Sequence, residues 1–334
     1  GVLRPGSRLP PIRAVAIALG LSPTTVSAGW ALLARSGSIR TDGRRGTTVA
    51  DLRDPAPGRY RKALERQLDF ALDLSTGIPD PALLPNLGPA LSKLNTAGIP
   101  GSYLDDPVLP RLLEVLKAQW PYATEELMVV DGAMDALDLV SRTMLRFGDK
   151  VVVEHPCFPP LLDLLESIGV DAVGVPVDES GLSPDALTTA LRDHISAVYL
   201  QPRAQNPTGA SMTAGRARDL ARILAGTGTP VVEDDSAGAV AATAPISLGR
   251  WIPGQVIHIR SFSKSHGPDL RLAAMGGPSH LLREVIHRRA LGQGWSSRLR
   301  PSVIRTLPTA PPAGPGLPPR PPPPPRHTPA TCPA

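Results

Sequence analysis

Apolar positions in the first fifty residues follow first a helical and then a strand-like spacing. Ile12, Val15, Ala16 and Leu19 stand at i, i+3, i+4 and i+7, which predicts a short helix over 12–19 with one buried face. Gly20 supplies its stop, and Ser22 is an N-cap candidate followed by Pro23 at the first helical position, so a second helix is predicted over 23–35. Two helices joined by so short a turn make a helix-turn-helix. The second helix of that motif enters the major groove of DNA with its N-terminal residues, here Thr24, Thr25 and Ser27, at the base edges. Ser36-Gly37 ends it. Ser38 to Thr41 and Thr47 to Val49 then flank Asp42-Gly43-Arg44-Arg45-Gly46, which predicts a hairpin with a basic tip, the wing of a winged helix-turn-helix.

The pattern changes after residue 50. A polar stretch with Pro55, Pro57 and Gly58 reads as a linker over 51–72. Beyond it, strand-like runs (Leu127 to Val130, Lys150 to Glu154, Ala172 to Val177, Ala197 to Leu200, Pro230 to Glu233, Gln255 to Ile259) alternate with segments of helical spacing. Such alternation predicts an α/β domain over 73–297 built on a doubly wound, mostly parallel sheet, whose ligands sit at the carboxyl ends of the strands. From Pro301 to Ala334 there are fourteen prolines and no acidic residue, so 298–334 reads as a disordered tail unable to pack a core.

Charge sharpens the division. The net +5 of the 334 residues splits into +6 over residues 1–50, −6 over the middle and +5 from Ser296 onward. A basic head on an acidic body predicts that the head meets a polyanion and the body does not. Two cysteines, Cys157 and Cys332, are too few and too far apart for a disulfide framework or a zinc cluster, and no metal is expected. No apolar run approaches a membrane span and Gly1 to Pro10 lacks the core of a signal peptide, so a soluble, cytoplasmic protein with no membrane partner is expected. A first residue that is Gly rather than Met points to a missing upstream piece.

Four residues of the body fall at strand ends or just beyond them. Asn206 lies in Asn206-Pro207-Thr208-Gly209, Asp234 ends Val231-Val232-Glu233-Asp234, and Lys264 and Arg271 lie in Ser261-Phe262-Ser263-Lys264-Ser265-His266-Gly267-Pro268-Asp269-Leu270-Arg271. Singly each is weak. An Asn-Pro-Thr-Gly is usually a turn, a carboxylate at a strand end is often a cap, and Ser-x-x-Lys also marks serine hydrolases of the penicillin-binding type. In this order they resemble the fold-type I pyridoxal-phosphate (PLP) enzymes, which include the class I and II aminotransferases.

That resemblance implies PLP as cofactor and assigns roles. Lys264 forms a Schiff base with the cofactor aldehyde, which requires a deprotonated amine. Asp234 keeps the pyridine nitrogen protonated, and Asn206 donates to the phenolic oxygen. Ser261, Arg271 and the amides of Gly132-Ala133-Met134 at a helix start take the phosphate. Phe158 matches the aromatic that stacks on the ring. Tyr103 matches a tyrosine that reaches the phosphate of a partner subunit, implying a homodimer, and Gly77 matches the substrate-carboxylate loop. Phe158 and Tyr103 also fit as ordinary core aromatics, and Cys157 as a packing residue.

The head resembles the GntR family of bacterial regulators through Leu3-Arg4-Pro5-Gly6-Ser7-Arg8-Leu9-Pro10, Arg13 and Leu19-Gly20-Leu21-Ser22-Pro23-Thr24-Thr25-Val26. The resemblance places Arg13, Thr24, Thr25, Arg44, Arg45 and Gly46 at DNA-contacting positions. Pro23 stands where many relatives carry a base-contacting arginine, and the helix that normally precedes Leu3 is absent.

Head and body together resemble the MocR subgroup. This implies a PLP-binding transcription regulator that reads a double-stranded DNA operator and senses a small amine, amino-acid or vitamin-type effector. Two departures mark the body. Ser236 stands where relatives carry a tyrosine two residues after the aspartate, which implies less efficient transamination. The tail replaces a small domain that carries a carboxylate-binding arginine, reading either as a proline-rich ligand or as a truncated or frame-altered product. A working aminotransferase with a vestigial head and a fragment that does not fold are the rival readings.

Overall fold

The computed structural model describes residues 3–42, 46–50, 77–92 and 106–297. The predicted linker, tail and wing tip, with Arg44, Arg45 and Tyr103, lie outside the described residues.

In the head, α1 (Ile12–Leu19) ends at Gly20, whose φ of 64° lets its N–H and that of Leu21 turn back onto the helix. α2 (Pro23–Arg35) starts at Ser22, whose hydroxyl accepts from Thr25 N at 3.0 Å. The two helices meet at 116°. β1 (Ile39–Asp42) and β2 (Gly46–Val49) form the expected antiparallel hairpin. Gly6 to Leu9 adds a further edge, with Gly6 N donating to Val49 O, Val49 N to Ser7 O and Leu9 N to Thr47 O. Its flanking prolines hid this extended pairing from the sequence reading.

One expectation is corrected. Of the predicted buried face of α1, Ala16 is buried and Ile12 and Val15 are half-buried, but Leu19 stands 64% exposed. Leu19 is the last residue before the left-handed turn, and the described neighbours reach only the middle of the helix.

The body is built on a mixed, mostly parallel eight-stranded sheet. Its strands are β3 (Glu126–Val130), β4 (Lys150–His155), β5 (Asp171–Asp178), β6 (Gly181–Leu182), β7 (Ala197–Leu200), β8 (Val231–Asp235), β9 (Val256–Ser261) and β10 (Ala273–Gly277), in spatial order 3-10-9-8-7-4-5-6. β5, β4, β7, β8 and β9 run parallel, whereas β10 is antiparallel to both β9 and β3, and β6 to β5. Alternate strand residues feed two cores. Val152, Val198, Val231 and Val256 meet Leu112, Leu116, Leu187 and Leu220 on one face, while Val151, Val153, Val232 and Ile257 meet Leu137, Val140, Leu165 and Leu282 on the other. Helices therefore cover both faces, and each fully buried leucine or valine contributes roughly 1.5–3 kcal/mol.

β10 escaped the sequence reading because Ala-Ala-Met-Gly-Gly carries no strand propensity. Its glycines are needed for space. A Cβ at Gly276 would lie 2.9 Å from the Trp120 ring, and one at Gly277 3.0 Å from Val256 O. No single described helix is long and apolar enough to cross a membrane, and the described residues hold no metal-binding group of His, Cys, Asp or Glu.

Gly238, at a φ of 54°, packs its backbone against the end of β9, where a Cβ would meet Ser261 O at 2.5 Å. Gly238→Ala is expected to lower the unfolding free energy by about 1–3 kcal/mol, through both the clash and the left-handed backbone. Urea unfolding measures this; an unchanged midpoint would contradict the tight packing.

Candidate functional site

The strand directions gather chemistry at one edge of the sheet. β4, β7, β8, β9 and β3 all end there, and β10 begins there, so residues far apart in sequence converge. They enclose an open cleft. Its polar lining is Asp234, Ser236, Ser261, Ser263, Lys264 and Arg271, and its apolar lining Ala133, Met134, Leu137 and Phe158. Seven residues expected from the sequence are thus brought together: Ala133, Met134, Phe158, Asp234, Ser261, Lys264 and Arg271.

Lys264 lies in the short helix Ser263–His266 directly after β9, and its Nζ donates to the carbonyl of Gly77. Burial pushes the amine below the ordinary lysine range, which favours the neutral form a nucleophilic amine needs. Gly77 is thereby placed at the site, through its carbonyl.

Arg271 and the helix Ala133–Met144 form the cationic corner. Arg271 adopts a left-handed backbone, φ 45°, unusual for a residue with a side chain. Gly132, at φ 111°, begins the helix, and a Cβ there would lie 3.3 Å from Arg271 Nη2. Glycine thus lets a guanidinium approach free helix amides, an arrangement suited to a phosphate. Arg289 supports it from below: its guanidinium donates to Asp131 Oδ2 at 3.1 Å and to Val129 O at 3.0 Å, fixing the turn before Gly132.

Asp234 is only 5% exposed. Its Oδ1 accepts from the Ser236 hydroxyl at 2.5 Å and its Oδ2 from Gln201 Nε2 at 2.8 Å. Burial raises its pKa, and these two donors oppose that rise. The next residue, Asp235, pairs with the buried Arg203, which also holds Gly238 O and Thr243 O, so the segment after β8 is anchored. Glu233 pairs with His258 on β9 at 2.7 Å and takes Leu248 N. Cys157 is half-buried, and burial pushes its thiol up to about 12, consistent with packing rather than reaction.

Asn206 is not among the residues lining the cleft. It is exposed in the loop after β7, its N–H donating to Gln201 Oε1 at 2.7 Å. In the head, Arg13, Thr24, Thr25 and Ser27 are exposed, and the Thr25 hydroxyl lies 2.8 Å from that of Ser22. Gly46 has a φ of 85°, and the Arg8 guanidinium lies so close that a Cβ would meet Nε at 3.1 Å. Sequence reasoning missed Gln201, Arg203 and Leu137, which stand in no motif, and Ser263, which stands in the quoted Ser261 to Arg271 run but was given no role; nearness to a strand end could have flagged Gln201 and Arg203.

A lysine with a depressed pKa, a buried carboxylate and a cationic helix start in one cleft define the site of a fold-type I PLP protein. The family profile for aminotransferase class I and II matches residues 71–307. The vitamin B6 salvage pathway transcriptional repressor PtsJ of Salmonella typhimurium is 35% identical over 318 residues, covering 91% of this chain and 70% of its own length. The HTH-type regulator YdcR of Escherichia coli is 27% identical, covering 84% of this chain and 66% of its own. Among solved structures, the α-aminoadipate aminotransferase LysN of Thermus thermophilus, bound to N-(5'-phosphopyridoxyl)-L-leucine, aligns with a TM-score of 0.62 at 25% identity, over 69% of this chain and 62% of its own. The chain belongs to the class I and II aminotransferase family, within the MocR-type branch of GntR regulators that carry such a domain. It spans about two thirds of the length of these relatives.

Membership implies PLP, and the donor set fits it. Lys264 would hold the aldehyde carbon, Asp234 the ring nitrogen, Phe158 a ring face, and Ser261, Arg271 and the amides after Gly132 the phosphate. When bound, the group supplies an electron-withdrawing ring. The chain's own part would be to present a neutral amine, keep a carboxylate against the ring nitrogen and neutralise the phosphate.

Beneath the cleft, burial raises the Glu154 carboxyl to about 8, and Gln201 N donates to its Oε2 at 3.0 Å. The folded chain therefore holds this proton well above the ordinary carboxylate pKa. Its contribution to stability is full below that ordinary value, declines as pH rises and is lost once pH passes about 8. Glu154→Gln is expected to remove the decline, so that its stability relative to the parent grows by a few kcal/mol between about pH 5 and about pH 9. Unfolding curves across that range check it; parallel pH profiles would contradict a buried, protonated Glu154.

Proposed function

We propose that the chain is a PLP-binding transcription regulator. Residues 1–50 form a winged helix-turn-helix that reads a double-stranded DNA operator, and residues 73–297 form an aminotransferase-like domain that senses a small amine, amino-acid or vitamin-type effector. The carrying observation is that one chain joins the Lys264, Asp234 and Arg271 cleft to a basic head whose exposed Arg13, Thr24 and Ser27 lie on helices meeting at 116°. Likeness to a repressor of vitamin B6 salvage supports the same reading. The predicted homodimer would place two heads on paired half-sites. Sensing is favoured over turnover because Ser236, bonded to Asp234, supplies no phenol to the cofactor.

Two measurements test this. With PLP added, the full chain is expected to show the visible absorbance of a lysine-bound cofactor, fixed on Lys264 by borohydride and lost in Lys264→Ala; absorbance unchanged by that substitution sinks the lysine assignment. Slow accumulation of the pyridoxamine form on adding amino acids would favour an enzyme instead. On random-sequence duplex DNA, Arg13→Ala should weaken binding and reduce the slope of log K against log salt by about 1. An unaltered slope counts against Arg13 as a phosphate contact.

A further inference from the structure

Asp234 is held from both sides by residues that the cofactor assignment does not use. Gln201, the first residue after β7, is pinned at three atoms: its N–H donates to Glu154 Oε2 at 3.0 Å, its Oε1 accepts from Asn206 N at 2.7 Å, and its Nε2 donates to Asp234 Oδ2 at 2.8 Å. These bonds also settle which end of the amide faces the carboxylate. A backbone N–H can only donate, so the oxygen must face Asn206 and the NH₂ must face Asp234. On the other side, the Ser236 hydroxyl donates to Oδ1 at 2.5 Å, within the short range of a hydrogen bond to an ionised oxygen.

We propose that Gln201 and Ser236 are positioning residues forming a two-sided clamp that fixes the Asp234 carboxylate, charged and in one orientation, for the ring nitrogen of the bound cofactor. The proposal rests on the PLP reading of this cleft. A carboxylate offers about four lone-pair sites, so two donors leave room for a third hydrogen bond from the ring. Burial alone favours the neutral acid, which would give the ring nitrogen no counter-charge; each donor stabilises the charged form instead. The clamp also assigns work to Ser236 at a position where the family resemblance leads one to expect a tyrosine. Its hydroxyl turns to the carboxylate, so the residue supports the ring nitrogen.

The test compares PLP with its carbocyclic analogue, in which CH replaces the ring nitrogen, by absorbance titration of the full chain. Ser236→Ala removes one donor. Gln201→Met removes the donor to Asp234 without placing a second carboxyl beside it. Each is expected to weaken PLP binding about tenfold, the scale of one hydrogen bond to a charged group, and to leave the analogue within about twofold. Ser236→Thr, which keeps the hydroxyl, should restore PLP affinity. A merely structural role would weaken both compounds alike, so equal losses, or no loss, overturn the clamp. If Gln201→Met does not fold, Ser236→Ala with its threonine rescue decides alone. Failure of the unsubstituted chain to bind PLP would overturn the cofactor reading and the clamp with it, whereas PLP binding with no discrimination between the two compounds overturns the clamp only.

Discussion

A sheet buried on both faces leaves this chain few places to put charge, and the rest of the body follows from that. β7, β8 and β10 are buried at every residue, so polar side chains collect where the strands stop. Because the parallel strands stop on the same edge, one topological decision assembles Gln201, Asp234, Ser261 and Lys264 from three separate stretches of chain. The antiparallel β10 adds Arg271 from the opposite direction, at the point where the chain enters the sheet.

Several ionisable groups that enter the interior are held in pairs, and these pairs frame the cleft. Arg203 with Asp235 ties the loop after β7 to the end of β8, His258 with Glu233 joins the neighbouring strands β9 and β8, and Arg289 with Asp131 ties the helix Ser279–Ala290 to the turn after β3. Such pairs contribute little net stability, since desolvation offsets much of their attraction, but removing one partner leaves an uncompensated buried charge. Their effect is on geometry. They fix the turn before Gly132 and the segment after Asp235, the two backbone stretches on which the phosphate corner and the Asp234 carboxylate depend.

The head obeys a different constraint. It is small, its core rests on Ala16, Val26, Ile39 and a few half-buried neighbours, and Ile17 and Leu19 remain 84% and 64% exposed. Local devices therefore carry much of its definition: the Ser22 cap, the left-handed Gly20, and the Gly6 to Leu9 edge paired with β2. The same devices leave Arg13, Thr24 and Ser27 on the outside, where a polyanion can reach them.

The amino-acid sequence by itself determined what local physics can decide. Both head helices are bounded where their caps and breakers stand, because capping and left-handed turns act within four residues. Six body strands were legible from apolar runs, and the order Asp234, Lys264, Arg271 along the chain carried the cofactor chemistry. Tertiary structure decided the rest. β10 forms from small residues because its neighbours require room, which no propensity records. Leu19 is exposed although its spacing marks it as buried, because burial depends on what packs over a helix. Gln201, five residues before Asn206 and in no motif, reaches Asp234. Hydrogen-bond partners across strands are set by register and side-chain direction, and these exist only once the sheet has formed.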